Sequence, residues 1–260
     1  MTRLDVWLAE AGLSESREKA QALVMAGRVK VGGQRATKPG TRVKEGVQVE
    51  VDPGPVHVGR GALKLQGALD AFGVEPRGSV AIDVGASTGG FTETLLERGA
   101  LRVFAIDVGR GQLHERLRQD PRVVVRDRTN ARELRPALVP EPCTLAVMDV
   151  SFISVNKILV PLLSVLAPGA TALVLVKPQF EVGRQQVGRG GIVRNPDLHL
   201  QALGGVAAFA QAAGYGVRGA CASPVTGATG NREFFLHLVP GGEPLAADTL
   251  ESVLRKAVSA

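Results

Sequence analysis

From about residue 60 onward, short apolar runs recur at 79–84, 101–106, 122–125, 144–150, 170–176, 215–221 and 233–239, with helical stretches between most of them. This alternation constrains the fold more than any other feature. Runs of this length fit strands buried on both faces, and strand–helix alternation predicts a mostly parallel sheet covered by helices on each side. Such open α/β sheets bind ligands at the carboxyl ends of their strands, so the residues that follow each run are the first place to look for chemistry.

The first run ends in Asp83-Val84-Gly85-Ala86-Ser87-Thr88-Gly89-Gly90-Phe91. Glycines there let the backbone turn sharply into a helix and let a ligand come close. A dinucleotide fingerprint needs G-x-G-x-x-G, and Ser87 breaks it. No P-loop lysine follows, which removes a nucleoside triphosphatase. Gly85-Ala86-Ser87-Thr88-Gly89 does satisfy the G-x-S-x-G of a hydrolase elbow, with Asp149 and His237 in the right chain order. That elbow would sit on the first strand of its domain, without the upstream loop that supplies an oxyanion hole, so the hydrolase lacks its context.

A site for S-adenosylmethionine (SAM) accounts for more residues. Asp107 ends the second run, 22 residues after Gly85, where a carboxylate accepts hydrogen bonds from both hydroxyls of a nucleoside ribose. Asp127 ends the third run, where a contact to the base edge falls; the competing role for Asp127 is a helix N-cap. The expected cofactor contacts are Asp83, Gly85, Ala86, Ser87, Gly89, Gly90, Phe91, Asp107, Asp127 and Asp149.

A second constellation consists of Lys64, Asp149, Lys177 and Glu233. Lys64 precedes the first strand, Asp149 ends the fourth, Lys177 follows the apolar run 173–176, and Glu233 opens the last. Strand ends that meet at one edge bring Asp149 and Lys177 together. Structural ion pairs are the competing explanation, but buried charges stabilise poorly compared with apolar packing, which favours a functional role. After Lys177, the segment 183–194 holds Arg184, Arg189 and Arg194 among four glycines; it reads as a mobile basic lid or as a disordered surface loop.

The first 51 residues differ in character. Leu4, Trp7, Leu8 and Ala11 recur at helical spacing up to Gly12, and Ser14 is the expected N-cap of a second helix ending at Gly27. Short β-like runs follow around Val29–Val31 and Val47–Val51. Of the chain's net charge of +6, residues 1–60 supply half, with ten Lys/Arg against seven Asp/Glu. Residues 28–44 hold Arg28, Lys30, Arg35, Lys38, Arg42 and Lys44 and no acid, which favours phosphate contact over a merely solvated hairpin. With one Trp and one Tyr in the chain, a base-stacking platform is not expected, and recognition is assigned to backbone charge and RNA shape. Residues 52–59, with two prolines and two glycines, read as a linker. No run of 18 apolar residues occurs, so no membrane span is expected. Cys143 and Cys221 have neither metal nor disulfide-framework spacing and, with an N-terminus that lacks a signal-peptide core, point to a cytoplasmic protein.

Two resemblances follow from these strings. Arg3-Leu4-Asp5, Ser16-Arg17, Ala20, Gly27-Arg28-Val29 and Val31 with its glycine pair resemble an S4 RNA-binding domain. Gly59-Arg60-Gly61-Ala62-Leu63-Lys64-Leu65, Gly85–Thr92, Asp149-Val150-Ser151-Phe152-Ile153-Ser154, Lys177-Pro178-Gln179-Phe180-Glu181 and Gly230-Asn231-Arg232-Glu233 are similar to the K-D-K-E ribose 2′-O-methyltransferases of the FtsJ/RrmJ type, and with the S4 module to the TlyA, or hemolysin A, family. The resemblance implies a Rossmann-like SAM-dependent methyltransferase fold over 60–260, an α+β S4 domain over 1–51, and transfer of a methyl group to cytidine ribose in 16S or 23S ribosomal RNA. It implies Lys177 as base, Asp149 as its orienter, Lys64 as neighbouring charge and substrate contact, and Glu233 as hydrogen-bonding support. A lysine acts as base only when neutral, against an ordinary pKa of about 10.4; a second lysine and partial desolvation both favour the neutral form. RNA contacts are expected from Arg3, Arg17, Arg28, Lys30, Arg35, Lys38, Arg60, Arg184 and Arg189. The expected partner is ribosomal RNA or a ribosomal subunit, the expected state a monomer, and no metal is expected. The alternatives are an RNA-binding ribosome factor with an inactive fold, which the intact tetrad opposes, and a hemolysin, which the lack of an amphipathic membrane helix opposes.

Overall fold

The computed structural model describes residues 2–14, 16–44, 46–52 and 58–260; residues 53–57 of the expected linker lie outside the described residues. The chain divides into two compact units, 1–56 and 57–260.

The small unit packs two helices, α1 (Leu4–Glu10) and α2 (Arg17–Met25), against short strands. Strand β1 (Thr2–Arg3) pairs with β4 (Arg42–Val43), and β2 (Val29–Val31) lies between β3 (Gln34–Arg35) and β5 (Val49–Val51). Leu4, Leu8, Ala20, Val24, Val29 and Val43 form its core, the residues that the helical and alternating spacings bring inward. The N-cap of α2 is Ser16, whose hydroxyl accepts from the Lys19 amide at 3.2 Å; it is not Ser14, whose own hydroxyl donates to the Ser16 carbonyl. Both serines precede the helix, and only Ser16 stands three residues before an amide its oxygen reaches.

The large unit is a seven-stranded sheet. Its strands are β6 (Val80–Val84), β7 (Arg102–Ile106), β8 (Val123–Arg126), β9 (Cys143–Met148), β10 (Leu166–Val176), β11 (Tyr215–Ala222) and β12 (Phe234–Pro240), in the order β11-β12-β10-β9-β6-β7-β8. Only β12 runs antiparallel to its neighbours. Alternate residues of each strand feed two cores, as a doubly covered sheet requires. Ile82, Phe104, Met148, Val174 and Leu236 pack on one side with helices α6 (Asn156–Leu163), α8 (Pro196–Ala212) and α9 (Ala247–Ser259). Ala81, Val103, Val147, Leu173 and Phe235 pack on the other with α3 (Gly61–Phe72) and α4 (Gly90–Glu97). Among the described residues, no helix is long and apolar enough to cross a membrane.

Candidate active site

Register explains why distant residues meet. β10 lies between β9 and β12, with Val174 opposite Met148 and Val176 opposite Phe234. The residues just beyond these pairs, Asp149, Lys177 and Glu233, therefore emerge side by side at one edge of the sheet. Lys64 arrives from the first turns of α3, buried on the face that packs against the sheet. The four side chains form a row of alternating charge: Lys177 Nζ lies 2.5 Å from Asp149 Oδ1, Lys64 Nζ 3.8 Å from Asp149 Oδ2, and Lys64 Nζ 2.6 Å from Glu233 Oε2. The two ammonium groups do not confront each other directly, because Asp149 bridges them. Lys64, Lys177 and Glu233 are all less than one-tenth exposed. Removing such charges from water is costly, and the alternation of sign offsets that cost.

The row stands between two cavities. One, of about 490 Å³, is lined by Gly85, Asp107, Val108, Thr129, Asn130, Asp149, Ser151 and Phe152 among others. The second, of about 400 Å³, is lined by Lys64, Lys177, Glu233, Gln179, Phe180, Ser151 and Phe152. Ser151 and Phe152 belong to both walls.

The first cavity fits an adenosyl ligand. Asp107 Oδ2 accepts from the Ser87 amide at 2.8 Å and Oδ1 from the Gly109 amide at 2.7 Å, so its carboxylate is fixed on the cavity wall while each oxygen retains a lone pair for a ribose hydroxyl. Gly85 has φ of +87°, and a Cβ there would come within 2.4 Å of the Asp149 carbonyl oxygen, so a side chain would block the junction of the two loops. Ala86, Ser87, Gly90 and Phe91 line a smaller cleft beside it with Gly85 and Asp149. Three of the expected cofactor residues stand further back. Asp83 is fully buried, with Oδ2 accepting from the Thr92 hydroxyl at 2.6 Å, and joins strand to helix behind the loop; burial pushes its carboxyl up to about 7. A Cβ at Gly89 would strike Leu117. Asp127 accepts from Arg118 and from the Gly111 amide, and Thr129 and Asn130 line the cavity in its place.

Ser87 has φ of +49°, the strained backbone of an elbow, but its hydroxyl meets Gln112 at 3.4 Å, while His237 packs its ring on Phe72. Neither is joined into a hydrolytic triad.

Sequence reasoning overlooked Ser151, Phe152 and Glu181. Lys177 donates to the Ser151 hydroxyl at 2.7 Å. Phe152 is 91% exposed, at φ of +65°, with its ring 5.2 Å from that of Phe180 at the mouth of the lysine cavity. Phe152 thus puts one exposed aromatic face, backed by half-buried Phe180, at the cavity of a chain otherwise poor in aromatics. Glu181 joins the two loops: Oε2 accepts from the Ser154 hydroxyl at 2.7 Å and Oε1 from the Val155 amide at 2.9 Å, and burial raises its pKa.

The segment 183–194 is neither a free lid nor a disordered loop. It forms two 3-10 turns, and buried Asn231 clasps it by accepting from the Val193 amide and donating to the Gly191 carbonyl, both at 2.9 Å. Arg184 and Arg189 remain exposed on it, and Arg60 is exposed beside Thr226, to whose carbonyl it donates.

In the small unit the buried carboxylate of Asp5 accepts from Arg3 and Arg17 at 3.0 Å and from Gln21 at 2.9 Å, which holds its pKa far below the ordinary carboxylate range. Arg3 and Arg17 stay half exposed around it. Lys30 and Lys38 are exposed and Arg28 is half-buried. Arg35 is exposed as well, and its guanidinium also donates to the carbonyls of Gly27, at 2.7 Å, and Ala26, at 3.3 Å, capping the end of α2.

A parallel sheet with one antiparallel strand, and an acid-lined glycine turn at its strand ends, define a methyltransferase of the Rossmann-like class. A model of FtsJ-like methyltransferases matches residues 57–239, and a model of the S4 domain matches residues 2–49. The chain belongs to the FtsJ-like methyltransferase family and carries an S4 domain ahead of it. It is 46% identical over 260 residues to a 16S/23S rRNA (cytidine-2′-O)-methyltransferase TlyA of Mycobacterium tuberculosis, covering 99% of this chain and 97% of that one. It is 37% identical to the hemolysin A of Brachyspira hyodysenteriae, covering 91% and 99% of the two chains. A solved structure from Streptococcus thermophilus, described as a hemolysin candidate, is 41% identical with a TM-score of 0.74, covering 99% of this chain and 95% of that one.

Proposed function

We propose that this protein transfers a methyl group from SAM to the 2′-hydroxyl of a cytidine ribose in ribosomal RNA. The observation that carries the reading is the buried Lys177–Asp149–Lys64–Glu233 row, placed between a cavity suited to a nucleoside and a second cavity open to solvent. Substrate class and nucleotide rest on likeness to the mycobacterial relative.

When bound, SAM supplies an electrophilic methyl group. Asp107 would hold the cofactor ribose, and Gly85, without a side chain, would leave room for the cofactor beside the Asp149 loop. Asp83 keeps β6 and α4 aligned so that the glycine turn keeps its shape, and Asp127 braces the loop at Gly111 behind the cavity. In the second cavity Lys177 takes the proton that the ribose hydroxyl loses; the methyl donor, when bound, would supply the methyl carbon and leave as a thioether as its sulfur–methyl bond breaks. Asp149, 2.5 Å from Nζ, orients the amine and offsets the positive charge it gains. Lys64, held by Glu233, faces the same cavity and fixes the ribose. Phe152 and Phe180 present an aromatic face to the target base. In-line attack at carbon draws much of its rate from positioning, which the bridged row and loops supply.

The S4 domain grips the RNA backbone through Arg3, Arg17, Arg28, Lys30 and Lys38, while Arg60, Arg184 and Arg189 extend the contact near the catalytic cavity. Arg35 contributes by holding the end of α2. A cytoplasmic location follows from this substrate.

The direct test is to map 2′-O-methyl groups on ribosomal RNA from cells with and without the gene. A methylated cytidine present only with the gene supports the reading; identical maps overturn it.

A further inference from the structure

Ser151 stands where both cavities meet, and its hydroxyl accepts a hydrogen bond from Lys177 at 2.7 Å. Lys177 Nζ also lies 2.5 Å from Asp149 Oδ1. A neutral amine has two N–H donors and one lone pair arranged tetrahedrally about nitrogen with the carbon stem. The bond to Ser151 fixes rotation about the last carbon–nitrogen bond, and the Asp149 carboxylate, in ion contact at 2.5 Å, draws the second N–H to its side, so one direction is left for the lone pair. We propose that Ser151 is a positioning residue: together with Asp149 it occupies both N–H groups of deprotonated Lys177 and aims the lone pair into the substrate cavity. Without Ser151 no hydrogen bond fixes rotation about the last carbon–nitrogen bond, and the ion contact with Asp149 leaves the second N–H and the lone pair free to exchange places. Ser151 itself takes no proton and forms no bond to the methyl group. The proposal rests on Lys177 being the base.

Ser151 is exposed, so its replacement leaves no cavity in the core. Ser151→Ala should lower the single-turnover rate by roughly tenfold to a hundredfold, the weight of one hydrogen bond to an ionisable group. Affinities for SAM and for the RNA, measured separately by calorimetry, should stay within about twofold, because a bond to the amine is not a bond to either ligand. Ser151→Thr keeps the hydroxyl and should restore most of the rate. In the protein without ligands, the side-chain nitrogen resonance of Lys177, assigned by its loss in Lys177→Arg, should move in Ser151→Ala and return in Ser151→Thr. A Ser151→Ala enzyme at full rate, a threonine variant as slow as the alanine, an unmoved resonance, or a loss of rate matched by a loss of RNA affinity would each overturn the proposal. If Lys177→Arg is itself active, the base assignment fails. If Lys177→Arg is dead while Ser151→Ala is unimpaired, the role of Ser151 alone fails.

Discussion

In the small unit, the exposed arginines Arg3 and Arg17 gather around one buried carboxylate, Asp5; in the large unit buried Lys64, Lys177 and Glu233 join half-buried Asp149 in a row of alternating sign. The two arrangements suit different tasks. Exposed positive charge in excess over acid attracts a polyanion at long range and adapts to its shape. Buried, matched charge does not attract at a distance, but it fixes a few atoms within tenths of an ångström, which proton transfer requires. Asp5 shows the intermediate case: a buried acid that organises exposed bases without neutralising the surface around them.

Removing a charge should therefore have opposite consequences in the two units. The largest effect is expected for Glu233→Ala, which removes the nearer of the two counter-charges of buried Lys64 and leaves Asp149 at 3.8 Å; breaking such a pair costs about 3 kcal/mol of the large unit's stability, read by urea unfolding. Lys30→Ala, at an exposed position, should leave unfolding unchanged within about 0.5 kcal/mol. Equal shifts for both variants would erase the distinction.

Next in size is Asp107→Ala. Loss of hydrogen bonds from a carboxylate to the cofactor ribose should weaken SAM binding by about tenfold or more, with RNA affinity nearly intact. Calorimetry returning unchanged SAM affinity would remove Asp107 from the cofactor site. The converse variant, with Arg28, Lys30 and Lys38 all replaced by alanine, should leave SAM affinity alone and weaken RNA binding. It should also reduce the slope of log affinity against log salt by about one for each phosphate left unneutralised. An unaltered slope would make the hairpin a solvated surface.

The last test is a pH dependence and concerns Asp83. Burial raises its carboxyl to about 7 in the folded protein, against an ordinary value near 4 in the unfolded chain. The folded state therefore holds this proton over a range in which the unfolded state has released it, and the stabilisation this gives is lost as pH rises through that window toward about 7. Asp83→Asn does not titrate, so its stability relative to wild type should climb between about pH 4 and 7 and then level off. A difference independent of pH would show that Asp83 titrates normally.

Much of this was legible in the sequence because it follows from chain geometry. Glycines after the first apolar run mark a turn, and acids or lysines immediately after successive buried runs must share one edge of a parallel sheet. Asp107, Asp149 and Lys177 are of this kind. What escaped depends on side-chain direction. Composition counts aromatics but not exposure, so Phe152 was hidden among eight phenylalanines. Arg35 looked like its basic neighbours, yet β3 lies close enough to the end of α2 for its guanidinium to cap two carbonyls. Asn231 clasps the glycine-rich segment across 38 residues of sequence, a pairing no local pattern encodes.

The central claim is that Lys177 removes the ribose proton, and Lys177→Arg tests it most directly. Arginine keeps the positive charge opposite Asp149 but does not deprotonate at usable pH. With SAM and RNA binding verified by calorimetry, single-turnover methyl transfer by Lys177→Arg should be undetectable. Near-normal transfer by the arginine variant with both ligands bound would contradict the account and move the search for the base to Lys64.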